Sequence, residues 1–357
     1  MTLEDRLNAT KNVGLSPEPL QTFAPRTSGL KSVFIGPNGL RAGWRMLIFA
    51  ALVVFLLGAF VLVRSGGLQG FRNAQKLAGQ ITVTPLLLGG SEAVAFLLLC
   101  VATLIMGRIE HRKFSEYGLA LRQALRKDFW VGCLSGFFAI SATLLAMFVL
   151  HGFKITGLAL RGTAILYSLI GWGIAFLLAG LFEEFLNRGY LQYTLASGIG
   201  FWPAAFVMSA FFALGHAFNP NETATGVGTV VLFGMLLCFF LRRTGNLWCA
   251  VGFHAAYDWG QTFYGVPDSG MVPYHNVLSS AFSGPQWVTG GIVGPEASFL
   301  TPIALLVVAV VFSRYYREDR YQMPGTHSAP RSVVMQEFAQ KYSSIVVGES
   351  SGAKARS

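Results

Sequence analysis

TAILYSLIGWGIAFLLAGLF, residues 163–182, carries no charge and stops abruptly on EEFLNRGY, residues 183–190. A run of about 20 mostly apolar residues is the length at which an α-helix crosses the hydrocarbon core of a bilayer. Two adjacent carboxylates and an arginine at its end are costly beside lipid. They mark either the level at which the helix enters the headgroups or a cavity lined by protein and water. Taken alone, the stretch leaves both readings open.

The rest of the chain repeats the apolar half of that pattern. Hydrophobic residues make up 53% of the 357 and charged residues 12%, about half the usual charged share of a soluble domain, and mean hydropathy is +0.52. Apolar runs at 44–63, 82–106, 129–150, 202–218, 224–241, 246–263 and 298–313 join the one at 164–186. The expected fold is therefore all-α, a polytopic membrane protein with about eight transmembrane helices. Because the runs spread from 44 to 313, one transmembrane domain (44–313, with a motif-bearing core at 164–263) is expected rather than two soluble domains. Tails 1–43 and 314–357, polar and rich in Pro, Gly and Ser, are expected to be disordered.

Charge sets an expected orientation. Of the 27 Lys and Arg residues, 22 fall on one side of these spans and 5 on the other, so both termini are expected in the cytoplasm. The formal charge of +10 suits anionic lipid, and without a basic and aromatic stripe no nucleic-acid partner is expected. The expected location is the plasma membrane of a bacterium. No apolar stretch precedes residue 44, so a cleavable leader is not expected and the first helix serves as targeting signal. Cys100, Cys133, Cys238 and Cys249 show no C-x-x-C spacing and read as small buried hydrophobes.

Polar residues recur at helical spacing within the apolar runs. Glu183 and Glu184 point about 100° apart on a helix, and Glu184 stands four residues before Arg188 in the order that favours an ion pair. Glu183 is left without a local cation, and a buried unpaired carboxylate has its pKa raised toward the range of a general base at neutral pH. Phe212 and His216 lie one turn apart in FFALGHAF, and His254 and Asp258 one turn apart in VGFHAAYDWG. A carboxylate at that spacing can fix an imidazole tautomer, whereas a lone histidine on an apolar face is usually a core residue. Depth is a constraint. Glu183 and His216 lie about 24 Å from the turn near 198–200, and His254 about 15 Å from the turn near 243–245. They share a level only if the first hairpin projects some 10 Å further toward the cytoplasm. Glu92 either faces the cavity, pairs with Arg188 or is buried neutral; His151 and His275 fall outside the site. Loop 264–297 is either a lid or an ordered connection.

Glu183-Glu184-x-x-x-Arg188, Phe212-x-x-x-His216 and His254-x-x-x-Asp258, in this order on successive segments, resemble the CPBP intramembrane proteases. That family holds the type II CAAX prenyl endopeptidases and Abi-type immunity proteins. The resemblance covers about residues 164–263. It implies an intramembrane endopeptidase in which Glu183 and His216 activate water and His254 with residue 258 steadies the oxyanion. It also implies a membrane-associated or lipidated protein or peptide substrate. The prenyl endopeptidases carry Asn where this chain has Asp258, and a carboxylate offers no amide hydrogen to an oxyanion, so Asp258 is read as orienting His254. No cofactor is favoured. The alternative is zinc on Glu183, His216 and His254, with Glu184 then serving as the base. Two other functions stand beside the protease: a non-catalytic immunity or binding protein on the same scaffold, and a proton- or ion-coupled transporter, which the absence of an internal repeat disfavours.

Overall fold

The computed structural model describes residues 31–36, 39–70, 72, 82–219, 221–270 and 274–322. The expected tails at 1–30 and from 323 onward lie outside the described residues. The chain divides into Met1–Arg45 and Met46–Ser357. In the first unit, Lys31–Phe34 makes one helical turn and Ile35–Gly36 pairs antiparallel with Gly39–Leu40. Trp44 stacks on Phe34 with ring centroids 4.7 Å apart, and its Nε1 donates to the Val33 carbonyl. This part of the expected tail is thus folded around an aromatic pair.

The long helices follow in order as α1 (Ala42–Arg64), α2 (Pro85–Ile109), α3 (Lys127–Val149), α4 (Thr163–Glu184), α5 (Gln192–Ile199), α6 (Phe201–His216), α7 (Ala224–Thr244), α8 (Trp248–Tyr264) and α9 (Leu300–Tyr315). Thr84 caps α2 by accepting from the Leu87 amide, with Pro85 in the first turn where its missing N–H costs nothing. Thr223 caps α7 by accepting from the Gly226 amide. A π-helical segment, Phe185–Leu191, joins α4 to α5, so that Thr163–Ile199 is a 37-residue rod kinked at Gly189.

Each apolar run read from the sequence falls on a helix. Among the described residues, α1, α2, α3, the α4–α5 rod and α7 are long and apolar enough to cross a membrane, and α6 and α9 are shorter apolar helices. Phe55, Leu86, Leu97 and Leu134 stand exposed on the outer faces, apolar surface that a soluble protein would bury. The chain is a polytopic integral membrane protein. Helix α8 is the exception to a simple count, because nearly all its residues are buried within the protein. Its apolar composition reflects a core position, not contact with lipid.

Two features fix the height of α8. Its backbone lies directly on α3: a methyl group added at Gly136 would stand 2.1 Å from the Phe253 carbonyl oxygen, and one at Gly132 would stand 2.1 Å from that of Cys249. Small residues at a helix crossing allow this approach. At one end of the bundle Asn246, in the α7–α8 turn, donates to Asp128 at the start of α3 at 2.9 Å. Tyr316 donates to the other oxygen of Asp128 at 2.8 Å.

The structure departs from the sequence reading at two places. Residues 316–322, assigned to the C-terminal tail, fold back onto this end, because Asp319 lies 2.8 Å from Arg242 and 2.9 Å from Arg243 and neutralises an otherwise repelling pair. An antiparallel ribbon, β1 (Phe153–Leu158) with β2 (Leu278–Phe282), occupies the opposite end and interrupts the all-helical reading. Strand β2 comes from loop 264–297, whose His275 and Tyr274 carbonyls also accept from Ser168 and Trp172 on α4. The described part of that loop is an ordered connection tied to the bundle.

Candidate active site

The α4–α5 rod leaves α-helical geometry directly after the two glutamates, and single π turns of this kind recur at functional sites. Arg188 Nη1 lies 2.9 Å from Glu184 Oε1, and both side chains are fully buried. Room for the guanidinium comes from Gly234 on α7, where an added methyl would stand 2.8 Å from Arg188 Nη2. Its flat face lies over the Phe212 ring, 4.6 Å from the centroid, a cation–π contact made away from water.

The same oxygen, Glu184 Oε1, also stands 2.8 Å from His254 Nδ1 on α8. With Glu184 paired to Arg188, the Nδ1–H of His254 donates to it and Nε2 is the nitrogen on the cavity side. Nε2 faces two further carboxylates, Asp258 Oδ2 at 3.4 Å and Glu183 Oε2 at 3.7 Å. The orienting role read for Asp258 therefore falls on Glu184, a partner from another helix, and Asp258 lies on the cavity side of the ring. Glu183, not Glu184, is the accessible glutamate, with its side chain 30% exposed and its Oε2 without a hydrogen-bond partner among the described residues.

Phe212 separates the polar groups. Its ring is tilted against His216 at 4.5 Å and meets His254 edge-on at 5.9 Å, while Phe233 closes the other side of His254 at 5.4 Å. His216 Nδ1 is bonded to the Phe212 carbonyl at 3.0 Å, which leaves Nε2 as the free nitrogen. Together these residues line a cavity of about 570 Å³ whose wall also includes Leu88, Phe176, Phe182, Phe211 and Phe218. Glu184 on α4 and His254 on α8 thus stand at one level, while the Phe201 ring at the α5–α6 turn lies under Arg242 at the end of α7, 5.1 Å away.

Of the residues singled out in the sequence, Glu183, His216, His254 and Asp258 line this cavity, and Glu184 with Arg188 stands behind it. Glu183, His216 and His254 are not gathered within metal-ligating reach; among the described residues, Asp258, Asp268 and Glu296 are the set that is. Sequence reading missed Asp268 and Glu296, both on loop 264–297, where no periodicity or motif flags them. Burial, followed by the nearby Asp258 and Glu296 carboxylates, raises the Asp268 pKa well above the ordinary aspartate value. Glu92 on α2 keeps one buried oxygen unpartnered among the described residues and lies within electrostatic reach of Glu183 and His254, while Arg188 pairs with Glu184.

The family model described as type II CAAX prenyl endopeptidase Rce1-like matches residues 164–260. This segment carries every residue of the constellation from Glu183 to Asp258, so the match supports the resemblance read from the three motifs. No curated protein matches the chain.

Proposed function

We propose that this chain, similar to the type II CAAX prenyl endopeptidases across the segment that holds its polar cavity, hydrolyses a peptide bond within or beside the bilayer. The observation that carries the reading is the division of labour between adjacent glutamates. Glu184 is buried between Arg188 and His254, while Glu183 faces the cavity 3.7 Å from His254 Nε2. A gap of that size invites a bridging water.

In this mechanism Glu183 takes a proton from the water as it attacks the substrate carbonyl, with His216 Nε2 as a second acceptor that holds the water in line. His254, when protonated, presents Nε2–H toward the developing oxyanion, its Nδ1–H held by Glu184 and its charge balanced by that carboxylate. Asp258 serves as counter-ion on the cavity side. Glu183 then passes its proton to the leaving nitrogen, and the peptide bond is broken with no covalent intermediate. Water activation is by Glu183 itself, without zinc.

The apolar wall formed by Phe176, Phe182, Phe211 and Phe218 suits a lipidated or membrane-embedded substrate, and prenylated C-terminal peptides are its first candidates. The orientation proposed from charge places both termini in the cytoplasm. The test is a Glu183→Gln variant, expected to retain substrate without turnover so that mass spectrometry of co-purifying peptides identifies it. Wild-type protein in lipid discs should cleave that peptide. If Glu183→Gln cleaves it at the wild-type rate, the assignment fails; stoichiometric zinc whose removal abolishes activity and whose return restores it would overturn the metal-free mechanism.

A further inference from the structure

At the wall of the same cavity stand two carboxyl groups that the proposed hydrolysis does not use, Asp268 and Glu296, gathered with Asp258. Asp258 on α8 and Asp268 and Glu296 from the following loop each bring a carboxylate oxygen within 4.8 Å of the others. Asp258 is 9% exposed and Glu296 8%. Three carboxyl groups are gathered here, and of them Asp258 stands 3.4 Å from a nitrogen that can carry a proton, His254 Nε2. Such a charge excess in a partly dry site needs a cation or protons.

Glu296 is held as a ligand would be. Ser269 Oγ donates to its Oε2 at 2.8 Å, and Gln261 Nε2 donates to its Oε1 at 3.1 Å. Gln261 Nε2 also reaches the Pro267 carbonyl at 3.1 Å, which ties the start of the loop to α8. Bonds of this kind orient metal-binding carboxylates in general.

A second, independent observation points to an occupant. Tyr257 is 1% exposed and lines the cavity together with the three acids, whose charges act on its hydroxyl. No hydrogen bond of ordinary geometry reaches that hydroxyl among the described residues; the Thr301 hydroxyl stands beside it and donates to the Pro295 carbonyl at 2.6 Å. Gln261, 0% exposed, likewise keeps Oε1 unpartnered. A buried phenol and a buried amide oxygen beside three carboxylates form a set of hard oxygen donors.

We infer that Asp258, Asp268 and Glu296 bind one hard divalent cation of the calcium class, which clamps the loop after α8 onto the cavity wall. Calcium takes oxygen ligands at about 2.3–2.6 Å, so two of them stand up to about 5 Å apart on one ion, whereas magnesium, at about 2.0–2.1 Å, spans only about 4.2 Å. The three oxygens lie within 4.8 Å of one another, close enough to share one hard cation, and calcium, with its longer bonds and flexible geometry, tolerates such a set better than magnesium, which demands near-ideal octahedral geometry. The ion joins residues distant in sequence, Asp258 on α8 with Asp268 and with Glu296 just before α9.

The test is made on full-length protein in lipid discs, stripped with a chelator and titrated with calcium chloride, then with terbium as a luminescent substitute. One saturable calcium per chain is expected, with a rise in Tm of several degrees, slower proteolysis within 265–299, and terbium emission sensitised by the adjacent Tyr257. The Asp268→Asn/Glu296→Gln pair should lower calcium affinity at least 10-fold. Its Tm in chelator should equal or exceed the wild-type value, because mutual repulsion is relieved. If that variant fails to fold, Tyr257→Phe locates the ion instead, with unchanged calcium stoichiometry and at least a twofold loss of terbium emission. Wild-type protein that binds no calcium, or binds it equally well after both substitutions, or a Tyr257→Phe protein with undiminished emission, would overturn the site. None of these readouts requires proteolytic activity, so a failure of the protease reading leaves the binding result interpretable.

Discussion

Glu184 Oε1 lies 2.8 Å from His254 Nδ1 and 2.9 Å from Arg188 Nη1, so one buried carboxylate oxygen links two helices and decides which imidazole nitrogen faces the cavity. Both Glu184 and Arg188 side chains are wholly buried. Removing Glu184 leaves the Arg188 charge unpaired in a dry site, at a cost of about 3–5 kcal/mol, and removing Arg188 leaves Glu184 with His254 as its one charged partner among the described residues. Glu184→Gln and Arg188→Gln should therefore lower Tm and folded yield markedly, as read by thermal unfolding and size-exclusion profiles in lipid discs. Equal yields for these two variants and Glu183→Gln would show that the pair carries no such weight.

Glu183 predicts the opposite split. It is partly exposed and its Oε2 is without a partner among the described residues, so Glu183→Gln should leave Tm within about a degree while kcat falls roughly 10²–10⁴-fold, the range for loss of a general base. Circular dichroism and a cleavage assay on the trapped peptide check both halves.

Phe212 touches Arg188, His216 and His254 with one ring. Phe212→Leu keeps most of the apolar volume and deletes the π face, a contact worth roughly 2 kcal/mol when desolvated. The expected result is a lower Tm together with about a tenfold loss of kcat, equivalent to ~1.4 kcal/mol in the barrier. A loss of stability with kcat unchanged would make Phe212 a packing residue only.

What the sequence disclosed and what it hid follow from the range of the interactions. The Glu184–Arg188 pair is local, four residues on one helix, and spacing alone points to it. The grip of Glu184 on His254 joins residues 70 apart, and no spacing rule reports which carboxylate reaches which ring nitrogen, so Asp258, one turn away, was the natural choice. Asp268 and Glu296 lie on a connection where side-chain direction has no period. That helix α8 sits inside the bundle, not against lipid, is hidden because hydropathy cannot separate contact with lipid from contact with protein. β1 escaped for a different reason: FKITGL alternates apolar and polar over only four residues before Gly157, the shortest run that marks a strand, and in the structure only Phe153 of it is buried.

Orientation can be read directly. Reporter fusions after residues 120 and 330 should score as cytoplasmic, and fusions within 268–290 as external, because the basic residues concentrate on the first side. An external score at residue 120 would invert the bundle and place the acidic cluster at the cytoplasmic end.

The seat of α8 on α3 supplies the last prediction. Gly136 leaves no space for a side chain, since an added methyl would stand 2.1 Å from the Phe253 carbonyl oxygen, far inside van der Waals contact. Backbone atoms cannot swing aside as a side-chain tip does, so Gly136→Ala must push the two helices apart, and His254, next to Phe253, moves with α8. Overpacking of this kind costs about 1–3 kcal/mol. The distance from His254 to Glu184, anchored on α4, should lengthen as well. Gly136→Ala is therefore expected to lower Tm by several degrees and kcat by at least tenfold. Gly58→Ala on α1, where an added methyl meets nothing within 4 Å, should be neutral or slightly stabilising through improved helix propensity. If both substitutions behave alike in unfolding and cleavage assays, the close crossing does not position His254.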